Sequence, residues 1–169
     1  TNVIATLSVG EGTLTVVPGT SGVAVGGSGT GSVTLTGSVA QINALLASAG
    51  GATGTITYND NTDTPSASTV LTLSVNDAGN TGTGGPLSGS DTATITITAV
   101  NDAPVVDLNG GGAGQNVTTA FTEQTPVLIA PVGTLTDVDS ATLTSLLVTL
   151  TTRPDGNAVE ALALNAAAT

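Results

Sequence analysis

Residues 93–106 have the sequence Ala93-Thr-Ile-Thr-Ile-Thr-Ala-Val-Asn-Asp-Ala-Pro-Val-Val106. Aliphatic and threonine side chains alternate up to residue 98, which is typical of a β-strand with one buried face. Asn101 and Asp102 favour a turn, and Pro104 has no N–H to give to a strand ladder, so one strand ends here and another follows at once. A strand, an acidic hinge and a second strand together predict a junction between two consecutive β-sandwich modules.

The same period-two alternation recurs on both sides of this junction and predicts an all-β protein. Before the junction, the expected strands are residues 3–9, 12–17, 22–25, 31–37, 54–58, 69–75 and 93–98. After the junction, the expected strand segments are residues 104–108, 118–123, 127–130, 145–150 and 158–164. The later set is too small to close a sandwich, so the second module is expected to lack its closing strands.

One interruption of the alternation has helical character. Within residues 38–50, Ser38 and Gln41 are spaced as in a capping box, and the aliphatic residues that follow share one face. Two glycines at positions 50–51 favour termination. The pattern predicts a short helix near residues 38–49, with a structural role, packed across one edge of the sandwich.

The two ends of the chain are similar to each other. Residues 2–13 and 158–169 share their alternation and end on small residues followed by threonine. This similarity predicts one repeat period that starts and stops inside a module. The expected domains are 1–100, the later part of a sandwich without its opening strands, then a linker at 101–104, and 105–169, the opening part of the next sandwich.

Two arrangements are consistent with a chain that spans parts of two modules. In the first arrangement, the chain is an excerpt of a longer polypeptide. We prefer this interpretation because Thr1 is not a natural start and strand exchange is the rarer arrangement. Otherwise, subunits complete each other head to tail as a filament. No signal peptide, lipidation motif or transmembrane run is recognisable in the sequence, so no direct membrane insertion is expected.

The composition removes most catalytic and binding chemistry. The 169 residues include 12 acidic and 1 basic side chain, carry a net charge of −11, and contain no His or Cys, while Arg153 is the single basic residue. Without imidazole, thiol or amine groups, the usual general bases and nucleophiles are missing, so an enzyme is not expected. A surface of this charge cannot neutralise phosphates, which excludes nucleic acid and disfavours an anionic membrane as partners. Only hard oxygen ligands are left, and these suit calcium rather than zinc, iron or copper.

Several motifs together resemble a known family. Asp77-x-Gly79, Pro86-Leu-Ser88, the alternating strand and Asn101-Asp-Ala-Pro104 are similar to the end of a cadherin repeat and its linker. Phe121-Thr-Glu123 and Asp137-Val-Asp139 resemble the start of the following repeat. The sequence most resembles the cadherin-like, immunoglobulin-like modules of giant bacterial adhesins of the RTX and biofilm type. The resemblance covers essentially the whole chain and implies tandem antiparallel Ig/cadherin-like β-sandwich modules.

In that family, calcium lies at the junction between modules and stiffens the rod, and the resemblance implies its ligands by position. The implied ligands are Asn101, Asp102, Glu123, Asp137, Asp139, Asp60, Asp63 and Asp77. The first two belong to the linker and the next three to the second module, while Asp60 or Asp63 would supply an acid from the lower edge of the first module. Asp77 would serve the preceding junction. Ala99 departs from the pattern, because cadherins have the first linker aspartate there, so few ions per junction are expected.

The residues also support calcium without the resemblance. Asp137 and Asp139 are two positions apart, so both carboxylates would lie on one side of an extended segment. With no lysine to balance them, they repel each other unless a cation joins them, and calcium prefers such oxygen ligands. The competing interpretation is a solvated turn, which Asn and Asp favour in any case.

These observations predict a structural spacer repeat of an extracellular bacterial adhesin or surface filament, secreted or held at the cell surface and rigidified by calcium at its hinge. Its partners would be neighbouring repeats of the same chain or like subunits head to tail. The alternative is an adhesion module that binds a glycan or a host protein. It is disfavoured because sugar sites usually present aromatic platforms, and the only aromatic residues are Tyr58 and Phe121. The glycine-rich stretch 111–117 resembles a single RTX calcium repeat, but such repeats need stacked copies, so a plain loop is expected.

Overall fold

The computed structural model describes residues 1–47, 54–80, 82–156 and 159–164. The chain divides into two compact units, Thr1–Ala103 (unit 1) and Pro104–Thr169 (unit 2). The described residues form antiparallel sheets and one short helix, which confirms the prediction of an all-β protein. No described helix has the length and apolar character needed to cross a lipid bilayer.

Unit 1 is built from two antiparallel sheets. The larger sheet has the strand order β3-β4-β1-β6-β7, and the smaller sheet pairs β2 with β5. The strands are β1 (Val3–Val9), β2 (Thr13–Val17), β3 (Ala24–Gly26), β4 (Ser32–Gly37), β5 (Thr55–Asn59), β6 (Ser68–Asn76) and β7 (Ser88–Thr96). Five of the predicted strands agree with these bounds within one residue, and β3 begins two residues later than predicted.

The core of unit 1 lies between the two sheets. Cross-strand partners share a face, so Ala5, which is opposite both Leu35 and Val75, marks the inner face of the larger sheet. On the smaller sheet, the inner face carries Leu14 opposite Tyr58. The buried aliphatic residues are Ala5, Leu7, Leu14, Val16, Val23, Val33, Leu35, Ile42 and Leu45. Removing such surfaces from water contributes about 25 cal/mol per Å² and is the main favourable term for a core whose buried residues are all aliphatic.

The helix α1 (Val39–Leu46) begins where the sequence predicts it. Ser38 is the N-cap: its hydroxyl accepts the backbone N–H of Gln41 at 3.3 Å, and the Gln41 side chain accepts the backbone N–H of Ser38 at 2.9 Å. This reciprocal pair is the predicted capping box. Ile42 and Leu45 are buried in the core, so the helix closes one end of the space between the sheets. Residues 48–51, which include the predicted end of the helix, lie outside the described residues.

The last strand of unit 1 starts earlier than the alternation predicts. β7 runs from Ser88 to Thr96 rather than from 93 to 98. Its first half, Ser88–Thr92, has no aliphatic residues, so the pattern gives no strand signal there. The strand forms because it pairs with β6 along its whole length. Backbone ladder bonds to an adjacent strand are not visible in the side-chain pattern of one segment.

Unit 2 has less regular structure than predicted. Its strands are β8 (Val105–Asp107), inside the predicted segment 104–108, and β9 (Thr134–Thr136), which has no predicted counterpart; the two pair antiparallel. The strand predictions for 118–123, 127–130 and 145–150 are wrong, because these residues form turns or irregular backbone. Of the predicted segment 158–164, residue 158 lies outside the described residues and 159–164 contain no strand.

Alternation shows that a segment is able to bury one face, but a strand also requires a partner ladder. In unit 2 many aliphatic residues of the predicted strands stay exposed, among them Leu128, Leu146 and Val148. Without a facing layer to cover them, burial does not select the extended conformation. These segments of unit 2 therefore have the sequence pattern of strands, but in the described structure they form no ladder with a neighbouring strand.

Candidate metal site

Three connections meet at one end of unit 1. The turn at residues 10–12 joins β1 to β2, the loop 60–67 joins β5 to β6, and the segment 97–102 follows β7. Antiparallel pairing of β1 with β6, of β2 with β5 and of β6 with β7 places these chain ends side by side. A backbone hydrogen bond of 3.0 Å from Ile97 N–H to the Ala67 carbonyl fastens the last two connections to each other.

A cleft of about 360 Å³ opens between residues 60–65 and 97–102. Asp60, Asp63 and Asp102 line it, together with the oxygen-bearing side chains of Asn61 and Thr62. These three acids are all among the sequence-predicted ligands, and the structure brings them to one cleft. Their role as metal ligands stays a prediction.

The carboxylate of Asp60 is oriented by its own loop. One oxygen accepts the backbone N–H of Thr62 at 3.0 Å, and the other accepts the Tyr58 hydroxyl at 3.2 Å. The Thr62 N–H contributes most to holding the pKa of Asp60 below its ordinary value, because it stabilises the charged form. Asp60 is therefore ionised at neutral pH, as an oxygen ligand of a metal ion has to be.

Glu11 belongs to the same end of the unit, although the sequence analysis does not single it out. Both of its carboxylate oxygens accept the backbone N–H of Ser66, at 3.1 and 3.2 Å. The backbone N–H of Glu11 donates to the Thr69 hydroxyl at 3.2 Å. Glu11 therefore fastens the turn 10–12 to the loop that carries Asp60 and Asp63.

The position of Glu11 in the sequence is a signal that could have found it. It is the only charged residue among the first 59 and stands between two glycines in a predicted turn. The electrostatics agree with its placement near the cleft. The pKa of the Tyr58 hydroxyl is raised above its ordinary value. Partial burial is the largest cause, and the negative charges of Asp60 and Glu11 contribute less. Both carboxylates therefore lie within electrostatic reach of the same hydroxyl group.

The predicted linker ligands differ in their placement. Asp102 lines the cleft, whereas Asn101 is exposed and its side-chain N–H donates to the Asp102 carbonyl at 2.8 Å. Ala99 also lines the cleft at the position where the resemblance led us to expect an aspartate. There, the residue has only a backbone carbonyl oxygen to offer a cation.

Asp77 lies at the opposite end of β6, in the connection from β6 to β7. One of its carboxylate oxygens accepts the backbone N–H of Leu87 at 2.8 Å and that of Gly79 at 2.9 Å. The Leu87 bond contributes most to lowering the pKa of Asp77. The structure thus gives Asp77 a role in closing this loop and separates it from the cleft acids.

In unit 2, the premise that Asp137 and Asp139 lie on an extended segment is wrong. They lie in a bend after β9, where one Asp137 oxygen accepts the N–H groups of Asp139 at 3.3 Å and Ser140 at 3.2 Å. The Ser140 hydroxyl donates to the Asp139 carboxylate at 3.2 Å. Local bonds from Asp to the following backbone compete with extended structure, which is the turn geometry weighed as the alternative. A cleft of about 350 Å³ adjoins Asp137.

Glu123, the remaining predicted ligand, lies in a tight turn rather than on a strand. The Thr125 N–H donates to the Thr122 carbonyl at 3.0 Å, and Gln124 has a positive φ of 65°. Glu123 is exposed at this turn. The structure does not show it beside another acid.

The part of the chain that the structure describes, residues 1–47, 54–80, 82–156 and 159–164, contains no preformed cluster of metal ligands. No three acidic side chains among them are close enough together to hold a metal ion. Calcium also accepts Asn and Thr oxygens, backbone carbonyls and water, all of which the cleft of unit 1 can supply next to its carboxylates. The donors are oxygen only, so the chemistry fits calcium better than zinc or copper.

Comparison of the chain with protein-family models, with curated proteins and with solved structures gave no match. The assignment of a function therefore rests on the residues and the geometry described above.

Proposed function

We propose that the chain is a structural spacer of an extracellular bacterial adhesin or surface filament, stiffened by calcium bound at one end of unit 1. The observation that carries the proposal is the cleft that Asp60, Asp63 and Asp102 line from two separate connections. This cleft lies where β7 has ended and the chain approaches Ala103, the last residue of the unit. A cation here would act on the exit of the chain from unit 1.

Charge favours a cation in this cleft. Every charged side chain in residues 1–103 is a carboxylate, so unit 1 has no cationic side chain of its own. The backbone N–H of Thr62 holds the pKa of Asp60 below its ordinary value, so this carboxylate is charged. A divalent cation would balance negative charge in the cleft. It would also tie the loop 60–67 to the segment 97–102, and calcium tolerates such irregular oxygen sets.

The spacer function follows from what such a cation would do mechanically. Joining the two connections restrains the segment through which the chain leaves unit 1, so the direction of the following residues becomes fixed. The aromatic residues give little support to the glycan-binding alternative. The Tyr58 ring is partly buried and its hydroxyl is bonded to Asp60, which leaves Phe121 as the only exposed aromatic residue.

The test is thermal unfolding of the full chain in calcium and in a chelator, with magnesium as an ionic control. A ligand that binds only the folded state at about 100 times its Kd stabilises it by about 2.7 kcal/mol, so a clear rise in Tm is expected. The double variant Asp63→Asn, Asp102→Asn should lose most of that rise. Asp91→Asn, which removes a carboxylate on β7 away from the cleft, should keep it.

Two results would contradict the proposal. One is a Tm that is the same in calcium and chelator. The other is an equal loss of the calcium response in Asp91→Asn and in the double variant, since that would show general charge screening rather than a site.

A further inference from the structure

We propose that Asn109 is a site of spontaneous, intramolecular deamidation and that loss of its side-chain amide opens a glycine-rich loop of unit 2. This loop, residues 109–114, is called the glycine loop below. The inference is independent of the proposed calcium site, because the reaction and its consequence involve only residues of unit 2.

The residue that follows Asn109 favours the reaction. Deamidation of asparagine begins when the backbone nitrogen of the next residue attacks the side-chain Cγ, and a side chain on that next residue hinders the approach. Asn109 is followed by Gly110, which has no side chain, whereas every other asparagine in the sequence is followed by a larger residue. Asn109 is therefore the asparagine with the least hindered path to ring closure.

The side chain of Asn109 closes the glycine loop. Its amide nitrogen donates to the carbonyl oxygen of Ala113 at 2.9 Å and to that of Gly114 at 3.0 Å. At the base of the loop, the backbone N–H of Leu108 donates to the carbonyl oxygen of Gln115 at 3.0 Å. One side-chain amide, acting as a donor, thus fastens the first residue of the loop to its last two.

The fold requires glycine at the position that makes Asn109 reactive. Gly110 has a positive φ of 64°, and a Cβ there would lie 2.8 Å from the carbonyl oxygen of Val132, just before β9. A Cβ at Gly112 would lie 2.8 Å from the side-chain nitrogen of Asn109. Glycine at both positions lets the chain wrap around the amide. The packing that closes the loop therefore also retains an unhindered nitrogen next to Asn109.

The reaction needs only water, and the site is accessible to it. Asn109 and Gly110 are partly exposed, and residues 111–114 are exposed. After the backbone N–H of Gly110 loses its proton to hydroxide, the nitrogen forms a bond to Cγ of Asn109. The bond from Cγ to the side-chain nitrogen breaks, and that nitrogen takes up a proton from water and leaves as ammonia. Water then opens the resulting succinimide at either carbonyl, which gives aspartate or isoaspartate. One water is consumed for each ammonia released.

The product cannot close the loop as asparagine does. A carboxylate only accepts hydrogen bonds, so an oxygen would face the carbonyl oxygens of Ala113 and Gly114 where the amide N–H groups had donated. Asp107, whose carboxylate accepts the backbone N–H of Asn109 at 2.8 Å, adds a second negative charge nearby. Asp107 is also the last residue of β8 and pairs with Thr134 of β9. Opening of the loop therefore reaches the strand pair of unit 2.

The first experiment follows the chemistry in the full chain. The protein is incubated in a chelator at neutral and at mildly alkaline pH, sampled over time, digested and analysed by mass spectrometry. The peptide with Asn109 should gain the mass of an amide-to-acid exchange before any other asparagine peptide, and it should do so faster at the higher pH. The product should contain both aspartate and isoaspartate. Asn109→Gln retains an amide but has to close a larger ring, so this early gain should disappear. A different asparagine reacting first, or a product without isoaspartate, would overturn the proposed site.

The second experiment measures the consequence for the loop by hydrogen exchange. Asn109→Asp has the same side chain as one product, and Asn116→Asp is its charge-matched control at an exposed position outside the loop. The backbone N–H of Leu108 should exchange roughly tenfold faster or more in Asn109→Asp, because two hydrogen bonds that close the loop are lost. In Asn116→Asp it should exchange as in the parent, and unit 1 should be unchanged in both variants. Equal exchange at Leu108 in the two variants would show that the amide of Asn109 does not hold the loop closed.

Discussion

Both carboxylate oxygens of Glu11 accept the backbone N–H of Ser66, at 3.1 and 3.2 Å, from a residue 55 positions away in the sequence. The contact connects the turn between β1 and β2 with the loop that carries Asp60 and Asp63. That loop is also fixed from within, by the bond from Thr62 N–H to Asp60. The candidate calcium cleft is therefore bordered by a loop held at two points.

The first prediction concerns this contact. Glu11→Ala removes the acceptor for Ser66 N–H, so the loop should lose order and the protein about 1 kcal/mol of unfolding free energy. Calcium affinity should also fall, because the loop that carries two of the cleft acids is no longer positioned. Glu11→Gln retains an acceptor oxygen and should preserve most of both quantities. Urea unfolding and a calorimetric calcium titration measure them, and equal behaviour of the two variants would show that charge, not loop position, is the role of Glu11.

The second prediction is a pH dependence of stability. The pKa values of Asp60 and Asp77 are lowered in the folded chain, mainly by backbone N–H groups of Thr62 and Leu87. A lowered folded pKa means that the stabilisation is fully present above the unfolded pKa, near 3.9, and is lost as pH falls through the folded value. Ionisation of these two groups should therefore leave Tm unchanged between about pH 5 and about pH 7. Below about pH 4, Tm should fall.

Asp77→Asn separates the two groups. The amide oxygen can still accept both N–H groups, more weakly than a charged carboxylate, but it does not titrate. The variant should have a lower Tm at neutral pH and a smaller decrease on acidification than the parent. An unchanged acid limb of the Tm curve would show that the loop bonds of Asp77 are not maintained in solution.

The elements that the sequence predicts well are those with a local signal. The reciprocal bonds of Ser38 and Gln41 depend on residues three positions apart, and the β2–β5 core face follows from alternation within each strand. The first half of β7 has no such signal, since only its pairing with β6 makes it a strand. In unit 2, alternation is present but pairing is not, which is why residues 145–150 are predicted as a strand and observed as irregular backbone.

The candidate site follows the same division. Asp60 and Asp63 are recognisable because acids and amides cluster in one loop, and Asp102 because it precedes a hinge proline. Glu11 is brought to them by the register of strands far apart in the sequence, which no local pattern encodes. Asp137 illustrates the opposite error: its spacing from Asp139 suggested a shared face, but short-range bonds to the following backbone N–H groups produce a bend.

The third prediction tests the helix start. Ser38→Ala removes the side-chain acceptor for Gln41 N–H and should cost about 1 kcal/mol, a typical value for loss of an N-cap. Ser38→Asp restores an acceptor of similar reach and should recover most of the loss. Chemical unfolding gives both values. If the Ser38→Ala and Ser38→Asp variants have the same free energy of unfolding, the capping box does not contribute to stability.

The fourth prediction compares two glycines with positive φ. Gly54 has φ +121°, and a Cβ there would lie 2.5 Å from the Val17 carbonyl oxygen and 2.6 Å from the Leu45 side chain. Gly29 has φ +87° and no atom within 4 Å of such a Cβ. Gly29→Ala should therefore cost only the backbone strain, about 1–2 kcal/mol. Gly54→Ala adds overpacking of roughly 1–3 kcal/mol, because helix α1 and the end of β2 would have to move apart. Urea unfolding of both variants measures the difference, and equal losses would mean that Leu45 does not pack against the start of β5 as the structure shows.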